Sequence, residues 1–347
     1  MATLKEISQR TGYSAATISR ILTGDPALAV TEEARKRVLE EAGRLNYAAT
    51  KSRRGRTPKY LLRLAVAEML TPAEQLQDPF YLYLHNHVEE ACLERKFAFL
   101  PLERSGAGFA APEGGCGGII AIGRFSLEQI ASLRQFSEHL VFLNSSPDES
   151  RYDSVVLNYD LGIRLAVDYL LELGHRQIGF IGPAWRLNDI REPAPEVRRT
   201  SFIAQMQRHG LFDPRFLIDA PMEARPTAEA VTAFLSSGGP LPTAFLTANE
   251  ETALGTVRAL SSAGLTIPGD VSLLSFNNTP LSQLVVPPLT SVSTHVEEMA
   301  RAAVRLSAER SAVPGGAPVR TLPVKLVVPP SLAVRESTGA PRQTPEF

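Results

Sequence analysis

The spacing of apolar residues divides the chain into two differently patterned segments. Over residues 1–47 they recur at three- and four-residue intervals. Leu4 and Ile7 share one face of a first short helix, which Gly12 breaks. Ile18, Ile21 and Leu22 form the apolar side of a second helix. Ser14 can cap it, its hydroxyl accepting from a backbone N–H in the first turn. The other side carries Thr17, Ser19 and Arg20. Two such helices meeting at a turn have the make-up of a helix-turn-helix, whose second helix can enter the DNA major groove. Gly24-Asp25-Pro26 is a turn, and Thr31-Glu32-Glu33 opens a third helix with acidic residues near its positive end. Val38, Leu39, Ala42 and Leu45 give that helix its apolar face.

From Leu61 the pattern changes. Short apolar runs predict strands at Leu64–Ala67, Gly118–Ile122, Leu140–Leu143, Val155–Leu157, Ile178–Ile181, Ala244–Thr247 and Val271–Ser275. Helical periodicity predicts helices at Phe80–Glu94, Leu127–Phe136, Leu161–Leu173, Arg199–Arg208, Ala228–Leu235, Thr252–Ala263 and Val296–Arg310. Such alternation means a doubly wound parallel sheet. The number of strands predicts two lobes. Ligands of these sheets bind beyond the carboxyl ends of the strands.

Composition adds little beyond a sizeable core: 347 residues, 44% hydrophobic and 21% charged, as in a soluble globular protein. No apolar run approaches the roughly 20 residues of a membrane span, and the polar N-terminus does not read as a signal peptide. The only cysteines, Cys92 and Cys116, fit a reducing cytoplasm. Charge changes the picture more. The net charge of −1 divides into +6 over residues 1–60 and −7 over the remainder. A basic head on an acidic body suits a polyanion at one end. The stretch Lys51-Ser-Arg-Arg-Gly-Arg-Thr-Pro58 lacks an apolar face and reads as a linker lying along phosphates.

Catalytic signals are poor. Gly114-Gly-Cys-Gly-Gly118 precedes a strand and lacks GxGxxG order. His85 and His87 are two apart on a helix and point to different sides. Cys92 reads as a small core residue. No GxSxG elbow is present, and the pairs Glu32-Glu33 and Glu250-Glu251 sit at helix starts. An enzyme, a metal and a cofactor are therefore not expected. Binding signals are better. Asn144, Asn249 and Asn277 follow strands, Asp78-Pro-Phe-Tyr81 opens the helix after the first strand, and Arg198 and Arg199 start a helix after Gly182. Amide and guanidinium donors beside aromatic surface suit a polyhydroxylated ligand. Any one of these asparagines is better explained as a turn former; several at matching strand ends weaken that explanation.

The head Ala2-Thr-Leu-Lys-Glu-Ile-Ser…Gly-Tyr-Ser-Ala-Ala-Thr-Ile-Ser-Arg-Ile-Leu22, followed by Val30-Thr-Glu-Glu and Leu45-Asn-Tyr47, resembles the lactose/galactose-repressor family of bacterial transcription regulators. So do Leu173-Gly-His-Arg-Gln-Ile-Gly-Phe-Ile-Gly182, Ala248-Asn-Glu-Glu-Thr-Ala-Leu-Gly255, Ile267-Pro-Gly-Asp-Val-Ser272 and Pro287-Pro-Leu-Thr-Ser-Val292. The match covers about residues 2–335. Gly24–Val30 and Asp78–Tyr81 look most like the subgroup of the evolved β-galactosidase repressor and Gram-positive galactose-type regulators.

The resemblance implies an all-α helix-turn-helix head and an α/β, periplasmic-binding-protein-like body of two doubly wound parallel-sheet lobes. The head is expected over 1–47, a basic hinge linker over 48–60 and the body over 61–335. Lobe 1 would take about 61–158 and 292–318, lobe 2 about 159–291 and 319–335, leaving a disordered tail at 336–347. It implies operator DNA and a sugar, galactose or a galactoside, as partners of a cytoplasmic homodimer, in some members a tetramer. Ala15, Ala16 and Arg20 fall at base-reading positions, and Thr3, Ser14, Thr17 and Ser19 at backbone or phosphate positions. Lys51, Arg53, Arg54 and Arg56 would contact DNA from the linker. Arg198 falls at the sugar-clamping arginine, Asn144, Asn249 and Asn277 at polar effector positions, and Phe80, Tyr81 and Met222 near them. The linker departs from the family: it has no leucine to wedge into the minor groove, and such a wedge needs an apolar side chain. The expected function is repression of carbohydrate genes under sugar control. An activator, or a solute-binding protein of sugar transport sharing the body, is the alternative.

Overall fold

A computed structural model describes residues 4–22, 28, 30–44, 62–76, 78–311 and 318–342. Thr3, Leu45, Lys51, Arg53, Arg54, Arg56 and the linker lie outside these. The chain divides into two compact units between residues 59 and 60.

In the first unit, α1 (Leu4–Thr11), α2 (Ala15–Leu22) and α3 (Glu32–Arg44) surround Ile7, Ile18, Ile21, Val38 and Ala42. Gly12 turns the chain between α1 and α2 at φ +77°, a conformation that costs glycine nothing. Ser14 Oγ accepts from Thr17 N at 3.1 Å and so caps α2. Leu39, expected on the apolar face of α3, is 50% exposed. It follows fully buried Val38 by one residue, which rotates it away from a core this narrow.

In the second unit, the elements run β1 (Arg63–Glu68), α4 (Pro72–Gln75), α5 (Pro79–Glu94), β2 (Ala98–Pro101), a small hairpin of β3 (Arg104–Ser105) and β4 (Gly108–Phe109), β5 (Gly118–Ile122), α6 (Leu127–Arg134), β6 (Leu140–Leu143) and β7 (Asp153–Leu157). Next come α7 (Tyr159–Glu172), β8 (Ile178–Ile181), a hairpin of β9 (Trp185–Leu187) and β10 (Pro193–Pro195), α8 (Val197–Arg208), β11 (Leu217–Ile218), α9 (Ala224–Ser236) and β12 (Ala244–Thr247). The unit ends with α10 (Glu250–Ser262), β13 (Ser272–Asn277), α11 (Leu281–Leu284), β14 (Thr290–Ser293), α12 (Val296–Arg310), β15 (Lys325–Val328) and β16 (Ser331–Ala333).

The strands form two six-stranded sheets, ordered β15-β7-β6-β5-β1-β2 and β11-β8-β12-β13-β14-β16. All pairs are parallel except β14 with β16. This is the periplasmic-binding-protein-like α/β arrangement. Central strands are buried on both faces, which is why they read as unbroken apolar runs. In β5, Ile120 packs with Leu64, Val66 and Val304 on one face, while Ile119 and Ala121 pack with Ala65 and Phe142 on the other. In the second sheet Leu246 and Leu274 face one core, Phe245 and Leu273 the other.

The chain crosses between lobes after β7, after β14 and between β15 and β16. Two expectations are corrected here. Residues 325–328 belong to the first lobe, where β15 pairs with β7, so the last crossing comes later than residue 319. Residues 336–342 are not a loose tail. Ser337 is fully buried, donating to Leu273 O at 2.5 Å and accepting from Thr290 N at 2.8 Å, and Gly339 O lies 2.9 Å from His175 Nε2. Hydrogen bonds rather than apolar contacts hold this segment, so its polar composition does not reveal it.

Candidate functional site

Asn144 follows β6 at φ +68°, a left-handed conformation that asparagine tolerates better than most residues. Its Nδ2 donates to Tyr81 Oη at 3.3 Å, and its Oδ1 accepts from Tyr159 Oη at 3.0 Å. Tyr81 stands in the first turn of α5, which Pro79 starts. Tyr159 opens α7, whose Leu161 N is capped by Asn158 Oδ1 at 3.0 Å. One amide thus joins the first lobe to the first residue of the second.

Arg198 stands in the first turn of α8 and is 3% exposed. Glu196 caps the same helix, accepting from Arg199 N at 3.0 Å, and also takes Arg198 Nε at 2.8 Å. Arg198 Nη1 donates to Ala248 O at 2.5 Å, and Nη2 lies 3.4 Å from Met222 Sδ. The guanidinium carbon is 5.5 Å from the Tyr159 ring centroid and 5.6 Å from that of Phe276. This is a desolvated cation held by a carboxylate, a carbonyl and two aromatic faces. Burial acts to raise the Glu196 carboxyl, but the charge and hydrogen bond of Arg198 outweigh it and hold it below the usual range. Burial raises the Asp78 carboxyl against the pull of Arg186, Arg198 and Arg124.

Tyr81, Asn144, Arg198 and Met222 therefore come together. Three other expected residues are placed differently. Phe80 is packed in the first-lobe core, its ring edge-on to Tyr81 at 5.1 Å. Asn249 spends its Oδ1 on the cap of α10, accepting from Thr252 N at 2.9 Å and Thr252 Oγ1 at 2.6 Å. Asn277 lines a separate cavity with Tyr83, His87 and His295, and its carbonyl accepts from Thr294 Oγ1 at 3.1 Å. Glu250 is likewise consumed by structure, accepting from Thr279 and Ser282.

Sequence reasoning missed the β9–β10 hairpin and what it carries. A cavity of about 600 Å³ is lined by Arg124, Asn144, Tyr159, Arg186, Asp189 and Glu196, among others. The turn formers Asn188-Asp189 between Pro183 and Pro193 are the signal that marks the hairpin. In the first unit, Ser14, Ala15, Ala16 and Arg20 are exposed, and Thr17 and Ser19 half-buried.

The family described as a periplasmic binding protein-like domain matches residues 167–338. The chain is 31% identical over 348 residues to the HTH-type transcriptional repressor MelR of Bacillus subtilis strain 168, covering 98% of each chain. Among solved structures it resembles a complex of the transcriptional regulator CelR with cellobiose, with TM-score 0.65, 23% identity and coverage of 97% of this chain and 100% of that one. It also resembles the lac repressor dimer bound to operator and the anti-inducer ONPF, with TM-score 0.61, 22% identity and coverage of 98% and 99%. The two structures speak for the fold alone.

Proposed function

This chain belongs to the lactose/galactose-repressor family of HTH-type transcription regulators, and on that premise we propose that it is a sugar-responsive repressor of carbohydrate genes. Residues 1–47 act as a helix-turn-helix head, 48–60 as a basic linker and 61–335 as the effector-binding body of a cytoplasmic homodimer. Two heads read a near-palindromic operator in adjacent major grooves. Arg20 takes a guanine bidentately, and Ala15 and Ala16 offer methyl contacts to thymine. The linker adds phosphate contacts whose contribution falls with salt. A galactose-type sugar enters the cleft and shifts operator affinity by the difference in its own affinity for two lobe arrangements.

The observation that carries this reading is the hydrogen-bonded chain Tyr81–Asn144–Tyr159 beside Arg198. It sets amide, phenol and guanidinium groups from both lobes at strand carboxyl ends, where a polyol bound to them senses lobe position. The test is fluorescence anisotropy of the full chain on DNA from upstream of its own gene, with and without galactose, lactose and cellobiose. One sugar should change operator affinity by about 5- to 150-fold, and Arg198→Ala should abolish that response. Arg20→Ala should weaken operator binding by about 1–3 kcal/mol and relax preference at one base pair. Operator affinity indifferent to every sugar, or base preference unchanged by Arg20→Ala, would sink the reading.

A further inference from the structure

β5 ends at Ile122, and Gly123 turns the chain at φ +100°. A Cβ at Gly123 would stand 2.6 Å from Met69 Cβ, so this turn is reserved for glycine. It delivers Arg124 to the wall of the 600 Å³ cavity, with only 8% of the residue exposed. Its Nε is buried and meets no hydrogen-bond acceptor, although buried donors ordinarily meet one. The nearest carboxylate oxygen is Asp189 Oδ1, 3.8 Å away, an ion pair too long for a hydrogen bond.

Asp189 belongs to the second lobe, at the tip of the β9–β10 hairpin. Asn188 Oδ1 fixes that tip by accepting from Ile190 N at 3.0 Å and Glu192 N at 2.9 Å. Asp189 Oδ2 accepts from Ser146 N of the first lobe at 3.0 Å. The hairpin thus reaches across the cleft and sets a carboxylate opposite a buried cation with a donor to spare. A hydroxyl group satisfies both, its oxygen accepting from Nε and its O–H donating to Oδ1. A ketone or an ether satisfies only the first.

The charges say more about the ligand. Arg124 faces Asp189, Lys325 is held by Glu149 at 2.6 Å, and Arg198, beside Tyr159, is held by Glu196 at 2.8 Å. Each of these three cations has a carboxylate at ion-pair distance, which favours a neutral ligand over a sugar phosphate or sugar acid. The volume corresponds to about twenty waters, more than a single hexose ring displaces.

The geometry points to a second-ring subsite: Arg124 and Asp189 hold the hydroxyls of a further ring of a neutral oligosaccharide whose first ring sits at Asn144 and Arg198. This rests on the sugar-responsive reading above. It is tested by titration calorimetry of the full chain with galactose and glucose, and with lactose, melibiose and cellobiose. One disaccharide should bind at least about ten-fold tighter than either of its rings. Arg124→Gln and Asp189→Asn should each bring the ratio of disaccharide to single-ring affinity down to about one, and that ratio, not the absolute affinity, is the readout. If single rings bind as tightly as disaccharides, or both variants keep the advantage, the subsite is wrong and the sugar reading stands. If no sugar binds the parent protein, both fall together.

Discussion

The two lobes repeat one plan, yet they differ in the connection after the opening strand. In the first lobe, β1 is followed by α4, whose capping box of Thr71 and Glu74 holds the turn close to the sheet. In the second, β8 is followed by a projecting hairpin that carries Arg186 and Asp189 toward the opposite lobe. The first lobe meets the cleft with groups seated on its own core: Tyr81, Asn144 and Arg124. The second meets it with charges mounted on an arm. One sheet design can thus supply both a fixed wall and a reaching one, and the difference lies in a connection of about a dozen residues.

The largest expected effect comes from a buried carboxylate paired with arginine in each lobe. Glu196 Oε1 lies 2.8 Å from Arg198 Nη2, with side-chain exposures of 1% and 3%. Glu196→Ala leaves that guanidinium buried without its counter-ion, and should cost about 3–5 kcal/mol in urea unfolding of the full chain. Asp153, the first-lobe counterpart, holds Arg310 at 3.2 Å and Arg320 at 2.7 Å and accepts from Val324 N. Its arginines are 12% and 17% exposed and reach water more readily. Asp153→Ala should therefore cost less, about 1–3 kcal/mol. A reversed order would break the contrast between a desolvated charge site in the second lobe and a surface-linked one in the first.

The histidines sharpen the same contrast through pH. In the first lobe, His85 Nδ1 is paired with the Glu68 carboxylate, and that hydrogen bond raises its pKa against the effect of burial. Its stabilisation is fully present below about pH 6.5 and is lost as pH rises through the raised folded value. In the second lobe, fully buried His175 lies between Thr243 Oγ1 at 2.8 Å and Gly339 O at 2.9 Å, and burial lowers its pKa. Its stabilisation is fully present above about pH 6.5 and is lost as pH falls toward the lowered folded value. A tenfold difference in proton affinity between folded and unfolded chains amounts to about 1.4 kcal/mol. His85→Gln should therefore show its greater deficit in urea midpoint at about pH 5.5, and His175→Gln at about pH 8. Deficits that vary with pH in the same direction would show that the two sites share one environment.

How much of this was legible follows from what holds each part. β5, β6, β8 and β12 are central strands, and an apolar run such as Gly118–Ile122 needs no partner to be recognised. β14 reads Thr-Ser-Val-Ser and is buried through its hydroxyls, so its strand character shows only once β13 and β16 flank it. The hairpin is Trp-Arg-Leu against Pro-Ala-Pro, too short and too rich in proline for either periodicity. Asparagine illustrates the limit best. Asn144 spans two tyrosines, Asn249 caps a helix and Asn277 ends a strand at φ +102°. All three follow apolar runs, and only the chain folded around them tells them apart.

The smallest effect isolates the contact between the lobes. Tyr159→Phe keeps the ring on Phe276, with centroids 5.8 Å apart and planes at 24°, and keeps its face toward Arg198. It removes only the 3.0 Å hydrogen bond to Asn144, a change of about 0.5–1.5 kcal/mol. Tyr81→Phe removes the 3.3 Å bond on the other side of the same amide, a similar loss confined to the first lobe. Both variants should melt nearly alike. If lobe position sets operator affinity, only Tyr159→Phe should change DNA binding in the absence of sugar, by about 2- to 10-fold in anisotropy titrations. Its bond, unlike that of Tyr81, is one that the two lobes share in their present arrangement. Equal changes from the two tyrosines would mean that Asn144 acts by filling its site, not by joining the lobes.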